Sequence, residues 1–175
     1  MTASGSPVNW LSQVTIRTVT ETDLVALEWG GEYSHFRRVF AEAFERTQRG
    51  LSILWVADLK SSGIIGQVFI QLICDRTELA DGYRRAYLYS FRIRPEFRGA
   101  GLGSLMIRNV EDDLRYRGFE ILTLNVGRDS PRARCLYERH GFAVVAEEPG
   151  IWSYIDHHGD RQFVEEPAWR MEKFL

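Results

Sequence analysis

Twelve residues, RGAGLGSLMIRN at positions 98–109, place glycines at 99, 101 and 103 directly before an apolar run with helical spacing. Without side chains there, backbone N–H groups can turn inward on an anion, and the positive end of the helix adds to their attraction. Arg98 adds a cation that keeps its proton at any physiological pH. A diphosphate suits this pattern. Two other uses of a glycine-rich turn fit less well. A Walker loop needs G-x-x-x-x-G-K-[ST], and no Lys follows Gly103. A dinucleotide fingerprint needs a third glycine where Ser104 stands. A tight turn with glycines serving positive φ alone accounts for the same residues without a ligand.

A second stretch lies downstream. Residues 120–126 read as a strand, Ser130-Pro131 as the N-cap and first residue of a helix, and residues 133–140 as a short helix stopped by Gly141. Arg98-Gly99-Ala100-Gly101-Leu102-Gly103 and Ala133-Arg134-Cys135-Leu136-Tyr137-Glu138-Arg139-His140-Gly141-Phe142 together resemble the GNAT superfamily of acyl-CoA-dependent N-acyltransferases. Its signatures are Arg/Gln-x-x-Gly-x-Gly/Ala after a strand and A-x-x-L-Y-x-x-x-G-F in the following helix. The likeness covers residues 83–146 best, the earlier elements more loosely, and the part after 150 in outline.

The resemblance implies an α/β (α+β) GNAT fold: a mixed, strongly bent sheet of six to seven strands with helices on both faces. The sheet is splayed between the strand before the glycine loop and the next one, and acetyl-CoA enters that opening as cosubstrate. By the same resemblance, amides from Arg98 through Gly99, Ala100, Gly101, Leu102 and Gly103 to Ser104 receive the diphosphate. The backbone of Phe91, Arg92 and Ile93 pairs with pantetheine as an added strand would. The family often has Asn where Ser130 stands, so the pantetheine side-chain contact falls to Ser130, falls to Asn125, or is lost.

Direct attack of a neutral amine on a thioester needs a route for ammonium protons, a donor for the developing oxyanion, and an acid for the departing thiolate. Tyr137 occupies the family's acid position. A phenol with an ordinary pKa of about 10 can protonate a thiolate whose conjugate acid lies near 8.5. Read without the motif, Tyr137 is a helix tyrosine packing its ring. Many family members carry a carboxylate on the strand before the glycine loop, but Tyr89 and Ser90 stand there. The base is therefore expected at the end of a water chain, with Glu32, His35 and Asp75 as candidates.

The elements that hold these residues follow from the hydrophobic pattern. Residues 13–19 alternate as a strand, and Thr20 with Asp23 reads as an acidic capping box opening a first helix. Phe36, Val39, Phe40, Ala43 and Phe44 mark a second helix ending near Gly50. Residues 51–58 and 64–74 read as a hairpin, 83–94 as the strand before the glycine loop, and Leu105, Met106, Val110 and Leu114 as the apolar stripe of the helix closed by Gly118. Residues 152–156 and 169–173 read as the last two strands, with His157-His158-Gly159-Asp160 as the turn between them. Adjacent histidines in a turn, with no third ligand at metal spacing, do not suggest a metal site.

At 175 residues and 45% hydrophobic side chains, the chain is long enough for one sizeable core. A polar tail over 1–12, expected to be flexible, and one domain over 13–175 are expected. A net charge of −2 gives no global attraction to nucleic acid or anionic membranes, so a polyanion site must be local. No apolar run approaches the ~18 residues of a membrane span. Cys74 and Cys135 lack metal-ligand pairing and nothing reads as a signal peptide, which points to a reducing cytoplasm. The reading is an N-acetyltransferase moving an acetyl group from acetyl-CoA to a primary amine on a small molecule or peptide. The competing readings are a non-catalytic acyl-CoA sensor and a nucleotide-binding α/β domain. The resemblance also implies a homodimer through exposed late strands.

Overall fold

The structure, a computed structural model, describes residues 9–175. The expected tail falls partly on residues 1–8, outside the described residues. Its remainder is ordered: Trp10–Gln13 forms a 3-10 turn, and the Trp10 ring meets Phe97 edge-on at 5.2 Å.

Strands β1 (Val14–Thr18), β2 (Ser52–Leu59), β3 (Gly63–Gln71), β4 (Arg85–Ile93), β5 (Ile121–Gly127), β6 (Ala143–Glu148) and β9 (Ala168–Phe174) form a seven-stranded sheet in the order β1-β2-β3-β4-β5-β9-β6. Only β4 and β5 run parallel. Such a pair needs a crossover connection, and α2 (Leu102–Tyr116) supplies it. α1 (Arg37–Gln48) precedes β2, and α3 (Pro131–Arg139) links β5 to β6.

Successive side chains of a strand point to opposite faces, and here both faces are covered. Ile53, Ala57, Ile65, Val68 and Ile70 pack with Leu102, Met106, Ile107, Val110 and Leu114 of α2, and with Leu136 and Tyr137 of α3. Leu54, Val56, Ile64 and Phe69 face the other way, toward Phe40 and Ala43 of α1. This explains why β2 and β3 are nearly continuous apolar runs instead of alternating ones. Each large side chain fully buried in this way contributes roughly 1.5–3 kcal/mol. Gly66 permits the close seating of α2: a Cβ there would lie 3.3 Å from both Met106 Sδ and the Arg92 carbonyl oxygen.

Three expectations need correction. The helix anticipated after Thr20 is a series of 3-10 turns, Glu21–Asp23, Ala26–Gly31 and Ser34–Phe36. Trp29 at φ 49° and Gly30 at φ 67° interrupt any helical ladder. The capping residues still operate, since the Thr20 N–H donates to Asp23 Oδ2 at 2.7 Å. At the other end, Trp152 and Trp169 do not lie on neighbouring strands. The histidine turn joins β7 (Ile151–Ile155) to β8 (Arg161–Glu165) in a separate hairpin, while β9 inserts between β5 and β6. β6 itself was not anticipated. Its Ala143, Val144 and Val145 are exposed on an edge strand, where hydrophobic alternation is weak.

Asp23 also accepts a bidentate bond from Arg17, at 2.7 and 2.9 Å, and Arg17 reaches across β2 to Asp58. The guanidinium, together with Thr20, holds the Asp23 carboxyl down at about 2. Its folded pKa lies below its unfolded value, so the stabilisation is complete above about pH 5 and fades as pH falls toward 2. Asp23→Asn is expected to lower stability at pH 7 by about 2 kcal/mol. Urea titrations should show the gap from the parent shrinking between pH 5 and pH 2.

Candidate functional site

Pairing between β4 and β5 covers residues 85–88 and 121–124 and then stops. From Tyr89 onward β4 stays with β3, while Asn125 and its successors stay with β9. The divergence coincides with a bulge. Phe69 faces Tyr89 and Gln67 faces Arg92, so one extra residue is accommodated, with Ser90 at φ 50°. A left-handed serine in a strand is strained and must be held. Fully buried Gln67 holds it: its Nε2 donates to Ser90 Oγ at 2.9 Å and more weakly to Ser90 O at 3.3 Å. Its Oε1 accepts from Arg92 Nη2 at 2.9 Å. The result is a β4 edge, from Ser90 to Ile93, with no strand on its β5 side.

That edge leads into the glycine turn through the 3-10 turn Pro95–Phe97. Gly101, at φ 97°, caps α2 in a left-handed conformation that a side chain rarely adopts. Among the described residues no side chain caps this helix, so the amides of its first turn are open. The Arg98 amide is not among them. It donates to Pro95 O at 3.2 Å, and the Arg98 Nε donates back to Ile93 O at 2.8 Å. The expected cradle of residues 98–104 is therefore shorter by one, running over Gly99, Ala100, Gly101, Leu102, Gly103 and Ser104, with Arg98 bracing it. Ser104 Oγ and His140 Nε2 lie 2.8 Å apart, tying the start of α2 to the end of α3.

The turn, the β4 edge and α3 enclose a cleft of about 660 Å³. Phe91, Ile93, Leu136 and Tyr137 form its apolar wall, and Arg98, Arg132 and Arg139 stand along its rim. None of the three arginines pairs with a carboxylate among the described residues, although half of the arginines here do. A long, partly apolar ligand ending in phosphates matches this gradient from greasy wall to cationic rim. Sequence reading had no means of finding Arg132 and Arg139, which reach the rim only because α3 packs beside α2.

Tyr137 is buried, its ring edge-on to Phe142 at 5.8 Å, and burial pushes its phenol well above the usual tyrosine range. Tyr87 and Tyr89 stack at 5.8 Å on β4, and burial pushes both up to about 12. Asn125, the first β5 residue beyond the pairing, leaves its Oδ1 buried without a hydrogen-bond partner. Ser130 is the N-cap of α3 and has only a long 3.5 Å contact to Asp129. On the opposite face of the sheet, His35 packs at 4.2 Å on Phe36 and also faces Tyr154, whereas Glu32 and Asp75 are exposed. Four buried carboxylates were missed by sequence reading, and all are engaged: Lys173 Nζ donates to Glu111 at 2.7 Å, and Asp156 accepts from the His158 and Asp160 amides and from Gln162 Nε2. Arg37 grips Glu28 at 2.8 and 3.0 Å, and Arg76 and Arg170 hold Glu148.

A sheet parted beside an uncapped glycine-led helix is the architecture of an acyl-CoA-binding transferase fold. The acetyltransferase (GNAT) family model matches residues 20–142, and the chain belongs to that family. Over 87 residues it is 32% identical to the [Ribosomal protein bS18]-alanine N-acetyltransferase of Haemophilus influenzae, covering 50% of this chain and 53% of that one. The chain spans about half or less of the length of the curated relatives it matches. The Escherichia coli ribosomal-protein-S18-alanine N-acetyltransferase superposes with a TM-score of 0.68 at 21% identity, over 92% of this chain and 93% of that chain. The spermidine N-acetyltransferase of Vibrio cholerae, solved with CoA and spermine, gives 0.65 at 19% identity, over 93% and 96%. These likenesses bear out the GNAT fold with its mixed seven-stranded sheet, and the strand pairing of this chain shows the splay.

Replacing Gln67 by Leu strips Ser90 and Arg92 of their common partner inside the core. Leaving such groups unpaired costs roughly 1–3 kcal/mol. Gln67→Leu is expected to lose that much stability in urea titration.

Proposed function

We propose that the chain is an N-acetyltransferase that carries an acetyl group from acetyl-CoA to a primary amine in a ternary complex. The observation that supports this most is the continuity of an unpartnered β4 edge with a row of open helix-start amides. Together they suit the two ends of one ligand, pantetheine amides and a diphosphate. The backbone of Phe91, Arg92 and Ile93 takes the pantetheine, with Ser130 or Asn125 as the side-chain contact. The amides of residues 99–104 take the diphosphate, while Arg132 and Arg139 add charge at the rim.

Acetyl-CoA supplies an acetyl group activated as a thioester. In the transfer a C–N bond forms and the C–S bond breaks; an ammonium acceptor gives up two protons and keeps one as the amide N–H, while sulfur gains one and the other passes to water. Tyr137 is the donor to sulfur. Its raised pKa keeps the phenol protonated, so it presents a hydrogen bond to the leaving sulfur throughout the physiological range. No competent base stands on β4, since Tyr89 is itself pushed up and Ser90 is tied to Gln67. Protons from nitrogen leave by water toward Glu32, His35 or Asp75 on the acceptor side. The acceptor wall is aromatic, with Phe36 stacked against Trp152 and close to Tyr154.

Thiol release monitored over a panel of amines tests the assignment. An amine-dependent signal is expected, and Tyr137→Phe should lower kcat by about 10²–10⁴-fold with coenzyme A affinity unchanged. Because the phenol's pKa is raised, loss of rate on an alkaline limb should not begin below about pH 10. Tight coenzyme A binding without turnover on any amine would instead favour a sensor. Exposed Val145, Ile151 and Phe163 further support pairing of two copies through the late strands. Sedimentation equilibrium should give twice the chain mass, and a single-chain mass would reject the pairing.

A further inference from the structure

Arg92 belongs to the β4 edge at the cleft, but its side chain leaves by the other face of the sheet. Its neighbours Phe91 and Ile93 pack with the α2 side, as strand alternation requires. The guanidinium Cζ lies 3.4 Å from the centroid of the Tyr33 ring, 5.2 Å from that of Trp29 and 5.5 Å from that of Phe40. Nη2 donates to Gln67 Oε1 at 2.9 Å and more distantly to Leu27 O at 3.4 Å. Among the described residues no carboxylate lies within ion-pair distance, and Nε and Nη1 are buried without partners. Burial accordingly lowers the pKa of this arginine.

A guanidinium shut in among rings, instead of paired with an acid, is an unusual choice for a chain with 24 carboxylates. What it joins is informative. On one side is the bulged edge of β4, fixed through Gln67. On the other are the turns Ala26–Gly31 and Ser34–Phe36, short 3-10 pieces, the first of which ends in three successive residues of positive φ, Trp29, Gly30 and Gly31. Such turns have little hydrogen-bonded regularity of their own, so their placement depends on what they pack against. Tyr33 and Phe36 pack in one cluster with Tyr89, the first β4 residue beyond the parting of the strands. These turns therefore wall the far side of the same opening.

We propose that Arg92 is a positioning residue: it couples the cofactor-binding edge of β4 to residues 26–36, so that the acceptor wall is held firmly only when pantetheine fixes that edge. The inference rests on the acetyl-CoA reading above. The coupling is reciprocal: coenzyme A tightens acceptor binding, and a bound acceptor tightens coenzyme A to the same degree. Only Arg suits the position, because its flat fork can stack on Tyr33 and donate to Gln67 at once, which a Lys ammonium cannot.

Amide hydrogen exchange with coenzyme A as the probe tests this without knowledge of the acceptor. In the parent protein, saturating coenzyme A is expected to slow exchange across residues 26–36 by at least about fivefold. At coenzyme A concentrations that saturate the variant, Arg92→Lys should abolish that slowing. Tyr33→Leu, which leaves β4 intact, should do the same and guards against a misfolded Arg92 variant. Coenzyme A binding with no protection of residues 26–36, or equal protection in both variants, overturns the coupling. Absence of coenzyme A binding to the folded parent overturns the acetyl-CoA reading and the coupling with it.

Discussion

The parting of β4 from β5 after residues 88 and 124 is the constraint to which the rest of this molecule answers. Two parallel strands that stay paired leave no backbone edge and no passage through the sheet. The bulge at Ser90 turns β4 away, and a left-handed serine persists only because buried Gln67 satisfies both its hydroxyl and its carbonyl. On one side of the opening the helix-start amides gather. On the other, aromatic turns and the β7–β8 hairpin form a wall. One buried amide side chain thus supports the geometry on which both halves of the site rely.

Charge is distributed to match. A net charge of −2 hides a local excess of arginine at the mouth of the cleft, where Arg98, Arg132 and Arg139 lack acidic partners among the described residues. Elsewhere ten arginines are engaged in ion pairs, as with Arg37 and Glu28 or Arg76 and Glu148. That contrast matters more for an anionic ligand than the total, because screening limits each charge to about 10 Å. The same economy leaves no unengaged carboxylate buried near the opening. In the proposed transfer, protons from an ammonium would then leave by water and by groups nearer the surface.

Tyr137 combines two requirements that pull in different directions. Burial in an apolar wall keeps its proton in place and excludes bulk water, but it also makes the phenol a weaker acid. In the proposed transfer such a group serves as a hydrogen-bond donor to the leaving sulfur. A tyrosine at the surface of α3 would titrate normally and lose that constancy.

Some of this was already determined by the order of residues. The glycine turn, the stripe of α2 and the place of Tyr137 on α3 rest on local rules: which residues tolerate positive φ, which spacing shares a helix face, what caps a helix. Those rules act within a few residues, so they can be read directly from the chain. The hairpin β2–β3 was legible for the same reason. The insertion of β9 beside β5, the edge strand β6 and the 3-10 turns in place of a first helix were not. Nor were the roles of Gln67, Arg92, Arg132 and Arg139. Gln67 meets Ser90 from 23 positions away, and Arg85 meets Glu172 from 87. Contacts at such separations carry no periodic signature, because they exist only once the sheet and its helices have packed. A polar residue inside the apolar run 64–70 was the sole local hint of Gln67, and tertiary packing alone gave it a purpose.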